Sequence, residues 1–184
     1  MNILKSRAAL GAVAAIAISV GTFAAANPMV GGAAMYPTKT IVQNAMNSKD
    51  HTTLVAAVKA AGLVDTLSGP GPFTVFAPTD AAFAKLPAGT VDKLVQPEMK
   101  EQLTKVLTYH VVAGQLTASD IAAKIRMGHG SATLTTVEGE SLTATMQGKW
   151  LVLTDAQGNV SHVTIANVMQ SNGVIHVIDS VLMP

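Results

Sequence analysis

Apolar positions recur at helical spacing through the first half of the chain and alternate through the second. Leu54, Val55, Val58 and Ala61 fall on one face of a segment that ends at Gly62. That is an amphipathic helix closed by a C-terminal glycine, with Thr52 or Thr53 expected to cap its start. Met99, Leu103, Val106 and Leu107 make a second stripe. Pro97 can open that helix, because a proline in the first turn forfeits no hydrogen bond. Ile41, Val42 and Ala45 predict a shorter helix, Thr90 is expected to cap a turn ending near Val95, and residues 119–123 predict one further helical turn. From Ala132 the period changes to two. Strands are expected at 133–137, 142–146, 150–154, 162–168 and 174–179, with turns at Glu138-Gly139, Gln147-Gly148, Gln157-Gly158 and Asn172-Gly173 between them. Helices first and strands later make an α+β domain.

One stretch stands apart. Residues 73–77 (Phe-Thr-Val-Phe-Ala) are β-branched and aromatic, bounded by Pro72 and Pro78. They read as a short buried strand, since proline is confined to strand ends and edges. Thr79 follows at an N-cap position, with Asp80 adding negative charge to the first turn of a helix through Phe83.

Composition then removes whole classes of function. Lys5 and Arg7 precede an uncharged run from Ala8 to Ala26 that ends in three alanines, the form of a secretory signal peptide cleaved between Ala26 and Asn27. Nineteen uncharged residues would also barely span a bilayer as an uncleaved anchor, but alanine is a weak membrane residue and the small-residue exit favours cleavage. Beyond it, ten basic side chains face eleven acidic ones. That balance gives no footprint for nucleic acid and no basic patch for a membrane surface. The chain has no cysteine, so an exported domain must be held by its core alone, which suits a bacterial export route. Residues 27–38 are small, Gly-rich and aperiodic, and predict a flexible lead-in.

Three motifs carry a family resemblance. The stretch from Gly71 to Phe83 resembles the first signature box of the fasciclin domain. Tyr109-His110, within Leu107 to Val112, resembles the family's central Tyr-His motif, and Asn172 to Pro184 resembles its second box. They fall in the family's order, and the resemblance covers residues 39–184. It implies a single domain with a fasciclin-like β-sandwich wedge and helices packed along it, in the manner of small secreted bacterial members. It also implies that Asp80 is the partner of His110, which follows an amphipathic helix and is expected to be buried; Tyr109, next to it on an extended segment, should point the other way, towards the surface or a second apolar layer. In some animal members the Tyr-His region is implicated in integrin binding. A second adhesive motif of the family ends in Asp-Ile; here Asp120-Ile121 keeps that pair without the flanking residues. The residues themselves read more simply: His110 as a structural hydrogen-bonding group, Ser119 or Asp120 as a helix cap.

Catalytic patterns are missing. There is no Gly-x-Ser-x-Gly elbow, no His-Glu-x-x-His and no phosphate-binding loop, and the four glutamates and seven aspartates are scattered. His51, His110, His129, His162 and His176 are too dispersed to form a local ligand pair, so neither a metal nor another cofactor is expected. His51 is expected just before a helix N-cap, His129 in an exposed loop and His176 at the edge of the core. Asn159-Val160-Ser161 matches a glycosylation acceptor, against which the bacterial context weighs. The expected function is a non-enzymatic, exported adhesion or interaction module, monomeric, located in the periplasm or outside the cell. Its partner would be a cell-surface or matrix protein or a polysaccharide. The alternative is a carrier of a carotenoid or lipid-like molecule, with Met99, Met127, Met146, Met169 and Trp150 as an adaptable apolar surface; the plainer reading of those methionines is ordinary core.

Overall fold

In a computed structural model, residues 27–184 are described; the expected signal peptide, 1–26, lies outside the described residues. The helical half forms α1 (Ile41–Ala45), α2 (Thr52–Ala61), α3 (Val64–Ser68), α4 (Asp80–Ala84), α5 (Thr90–Leu94), α6 (Lys100–Tyr109) and α7 (Ala118–Met127). Short strands β1 (Met29–Val30) and β2 (Ala33–Ala34) precede them, and β3 (Phe73–Pro78) and β4 (Val111–Ala113) interrupt them. The remaining strands are β5 (Ser131–Thr135), β6 (Ser141–Gln147), β7 (Trp150–Thr154), β8 (Val160–Gln170) and β9 (Gly173–Ile178).

Seven strands form one mixed sheet in the order β4-β3-β9-β8-β7-β6-β5. The first and last strands of this sheet in chain order lie side by side next to the β4 edge: β3 and β9 run parallel, with Phe73 opposite Gly173 and Pro78 opposite Ile178. Their approach is tight at the start, where a Cβ on Gly173 would overlap the Phe73 carbonyl oxygen. The sheet curls until its edges almost close, through an antiparallel bridge between Val112 and Thr136 and a 2.8 Å bond from the Val137 amide to the Val111 carbonyl.

Alternation on β3 and β9 then serves two cores. Val75, Ala77, Ile175 and Val177 face the layer of α1, α2 and α6, with Ile41, Leu54, Val58 and Leu107. Phe76 and Ile178 face inward with Leu134, Leu142, Leu153 and Val163, and α7 closes this second core with Ile121 and Ile125.

The local expectations hold in most places and fail in a few. Gly62 ends α2 in the left-handed conformation, φ 74°, and Thr79 caps α4 by accepting from the Ala82 amide. The lead-in is not a loose tether. Residues 29–34 fold into the β1–β2 hairpin, and Val30 and Met35 are 4% and 2% exposed. Asn44 fastens it, accepting from the Tyr36 amide and donating to the Tyr36 carbonyl. Two scattered apolar residues give no period, so the burial was invisible to pattern. Helix α7 runs ten residues rather than one turn, α3 carries too few apolar residues to be read as a helix, and α5 is preceded by Gly89 rather than capped by Thr90.

Candidate functional site

The last turn of α6 sets the geometry around Tyr109 and His110. Helix ends leave carbonyls without partners, and His110 turns its ring back on one of them: Nδ1 donates to the Val106 carbonyl at 2.7 Å. On the far side Nε2 accepts from the Leu182 amide at 3.0 Å. A carbonyl can only accept and an amide N–H can only donate, so the ring is neutral with its proton on Nδ1. Burial holds its pKa down at about 4, against the smaller opposing influences of the Val106 carbonyl and Asp155.

Tyr109 points into the second core, fully buried. Its hydroxyl donates to the Ser141 carbonyl at 3.1 Å and accepts from the Ala156 amide at 3.0 Å, and burial raises its pKa. The two neighbours therefore point apart, and Tyr109 packs into the second core. Beside them stands Asp155, 6% exposed. One oxygen accepts from the Gln157 and Asn159 amides, and the other from the Met183 amide at 2.9 Å. Gln157 Nε2 donates to the Pro184 carbonyl. His110 and Asp155 thus hold consecutive amides of one terminal strap. Asp155 was not singled out from the sequence. Its signal was there, in an aspartate followed two and four residues on by the amides of Gln157 and Asn159, an Asx-type turn.

The expected His110–Asp80 bond does not form. Asp80 reaches instead to the start of α2, where its carboxylate accepts from the Thr53 amide at 2.8 Å, the Thr52 amide at 3.3 Å and the Thr52 hydroxyl at 2.6 Å. Burial would raise its pKa, but those bonds outweigh it and lower it. The cap of α2 is thus a side chain from another element, and neither Thr52 nor Thr53 caps it. Asp80→Ala should cost about 1 kcal/mol, within the range for lost caps, while Asp80→Asn should keep most of it; chemical denaturation of both variants checks this.

Asp120 and Ile121 part company. Asp120 accepts from the Thr117 amide and hydroxyl, completing a capping box at the start of α7. Ile121 is fully buried in the second core, so the Asp-Ile pair presents one polar residue to solvent and no joint surface. Among the other histidines, His176 is not at the core's edge: it is fully buried, stacked on Phe76 with ring centroids 5.6 Å apart and bonded to the Leu116 carbonyl at 2.8 Å. His51 is itself the residue at the N-cap position of α2, buried, with Nδ1 on the Ser48 hydroxyl at 2.8 Å. His129 is exposed in a loop. Among the described residues no three His, Cys, Asp or Glu side chains are placed to hold a metal ion.

The four methionines and Trp150 read as an apolar surface or as core are not core. Met99, Met146 and Met169 are 37–38% exposed, Trp150 is 46% and Met127 is 74%. Met99 sits in a 3-10 turn ahead of α6, Met127 ends α7 and Trp150 opens β7. At element ends the periodic pattern no longer dictates burial. Among the described residues no helix is long and apolar enough to cross a membrane.

The model of the fasciclin domain matches residues 49–184. The chain is 47% identical over 158 residues to Protein sll1483 of Synechocystis, covering 85% of this chain and 79% of that one. It is 37% identical over 171 residues to the cell surface glycolipoprotein MPB83 of Mycobacterium bovis, covering 88% of this chain and 69% of that protein. Among solved structures, the FAS1 domain pair of the insect cell adhesion molecule Fasciclin I superposes with a TM-score of 0.69 at 22% identity, over 79% of this chain and 51% of that one.

Proposed function

The chain belongs to the fasciclin family, and from that premise we propose that it is an exported, non-enzymatic interaction module of the cell envelope or its surroundings. The observation that carries this reading is its likeness, over 88% of its length, to a cell surface glycolipoprotein. In this reading the leader 1–26 is removed and the monomeric domain binds a cell-surface or matrix protein or a polysaccharide. The Tyr–His pair contributes stability rather than contact, because every polar side-chain atom of Tyr109 and His110 is bonded within the domain. Contact falls to exposed residues, and the β6–β7 hairpin offers the best anchor. Trp150 is half-exposed there with the Lys149 ammonium 5.4 Å from its ring centre, and tryptophan is enriched among residues that dominate binding.

The test is saturable binding of the purified, labelled domain to intact cells and to isolated envelope polysaccharide, with cell fractionation alongside. The expected result is recovery outside the cytoplasm with an N-terminus at Asn27. Binding should fall at least tenfold in Trp150→Ala at an unchanged melting temperature. Cytoplasmic retention, or no saturable binding to either surface, would contradict the proposal.

A further inference from the structure

The outer face of β5, β6 and β7 carries rows of free hydroxyls. Ala132, Leu134, Leu142, Ala144, Leu151 and Leu153 point into the second core, so the residues between them point out. The register sets those outward residues in rows across the strands. Thr133, Thr143 and Thr154 stand opposite one another in one row, and Ser131 and Thr145 in the next, which runs on through Val152 to His162. The five hydroxyl residues are half-buried or exposed. Thr136 and Thr164 nearby donate their hydroxyls to backbone carbonyls, whereas the five in the rows have no hydrogen-bond partner among the described residues. Adjacent strands lie about 4.8 Å apart, so the hydroxyls recur at even steps on a stiff support. Trp150 belongs to the same outward face of β7, opposite Gln147, and is 46% exposed.

We propose that this face binds a single chain of an uncharged, β-linked polysaccharide laid across the strands, its hydroxyls on the rows and one sugar ring stacked on Trp150. The proposal rests on the interaction reading above and names its ligand class. A hydroxyl both donates and accepts, so a row of free ones suits a ligand whose groups also do both, as those of a sugar do. A phosphate, sulfate or uronate polymer needs cations to meet it, and the rows hold no lysine or arginine. Their one ionisable side chain, His162, has its Nδ1 3.5 Å from the Asp179 carboxylate. Lys149 stands at the border with its ammonium over the indole, and this flexible side chain can turn aside for a stacked ring. A folded protein partner needs an apolar centre, and Val152, the aliphatic residue inside the second row, is fully buried. Even steps across the strands match the repeat of a ribbon-like β-linked chain rather than a coiled α-linked one. The curl of the sheet makes the face convex, which fits one polymer chain and not the plane of a crystal.

Affinity electrophoresis of the protein in gels containing glucomannan, dextran or alginate tests it, with binding to intact cells measured alongside. Glucomannan, neutral and β-linked, should retard the protein. Dextran, neutral but α-linked, and alginate, acidic, should bind at least about tenfold more weakly, the loss of one or two well-placed hydrogen bonds. Thr143→Val and Thr145→Val keep a β-branched shape on the strand. Each should weaken glucomannan binding about fivefold, the value of one net hydrogen bond, and a thermal melt of each variant shows that it is folded. Absence of retardation by glucomannan overturns the face as a polysaccharide site. If intact cells still bind the protein in that case, the broader interaction reading stands; if they do not, both fall. Equal retardation by alginate overturns the uncharged ligand, and equal retardation by dextran overturns the β-linked one. Unchanged glucomannan binding in folded Thr143→Val and Thr145→Val overturns the rows as its site.

Discussion

His110→Ala should destabilise the domain by about 3–5 kcal/mol and lower its melting temperature by roughly 10 °C. Three losses combine. The Leu182 amide and the Val106 carbonyl are both left without a partner, each in a buried setting where an unsatisfied group costs about 1–3 kcal/mol. Removing an imidazole that is only 3% exposed also leaves a cavity in a packed interior. The conversion to temperature uses the few degrees per kcal/mol typical of domains of this size. The damage should concentrate at the C-terminus, because the strap would lose its Leu182–His110 tie and keep the Met183–Asp155 and Pro184–Gln157 bonds. Differential scanning calorimetry gives the size of the effect, and limited carboxypeptidase digestion shows its location. A variant that melts with the wild type would mean that the strap is held by something other than His110.

The second large effect is acid lability. His110 is held near pKa 4 in the fold, against 6.5 in the unfolded chain. The folded value is depressed, so the unfolded state takes up a proton that the folded state refuses. The associated stability is complete above about pH 6.5 and is lost progressively as pH falls towards 4. Two and a half pH units at 1.36 kcal/mol each amount to about 3 kcal/mol. His51 and His176 are lowered by burial as well, with the same sign. Asp80 and Asp179 are lowered below the usual carboxylate value, so their contribution is lost later, as pH falls through their own folded values. Urea midpoints at pH 7.5, 5.5 and 4.5 should therefore fall in steps before Asp80 and Asp179 titrate. In His110→Gln the fall between pH 6.5 and 4.5 should be much shallower. A wild-type midpoint that stays flat over that range would contradict the burial of these rings.

The architecture was legible because it rests on period. The stripes of α2 and α6 and the alternation of β5, β6, β7 and β9 are local signals, and the proline-bounded strand 73–77 read as a buried strand, which it is. The second box was expected to return beside the first, and β9 does pair with β3; that the two run parallel could not be read from the sequence. What could not be read was which polar atom meets which. Asp80 looked like a helix-start residue and is one, at α4, yet its carboxylate serves the N-terminus of α2, 27 residues earlier in sequence. No spacing rule reports a cap supplied across a gap. His110 was expected to be buried and it is, but its partners are two backbone atoms, and backbone partners leave no trace in side-chain identity. The same holds for Tyr109, whose ties run to Ser141 and Ala156 through their main chains. The hairpin 29–34 and the exposed methionines erred in opposite directions for one reason: short or terminal segments carry too few residues for a pattern to settle their burial.

The central claim is that the Tyr–His pair is an internal fastener for the C-terminal strap rather than an exposed adhesive group. Long-range 15N–1H correlation spectra of the His110 ring, recorded from pH 7.5 down to 4.5, test it directly. The predicted result is a neutral ring protonated at Nδ1, with Nε2 as acceptor, unchanged until the pH approaches 4, together with slow exchange of the Leu182 amide. A ring that titrates near 6.5, or carries its proton on Nε2, would contradict the account.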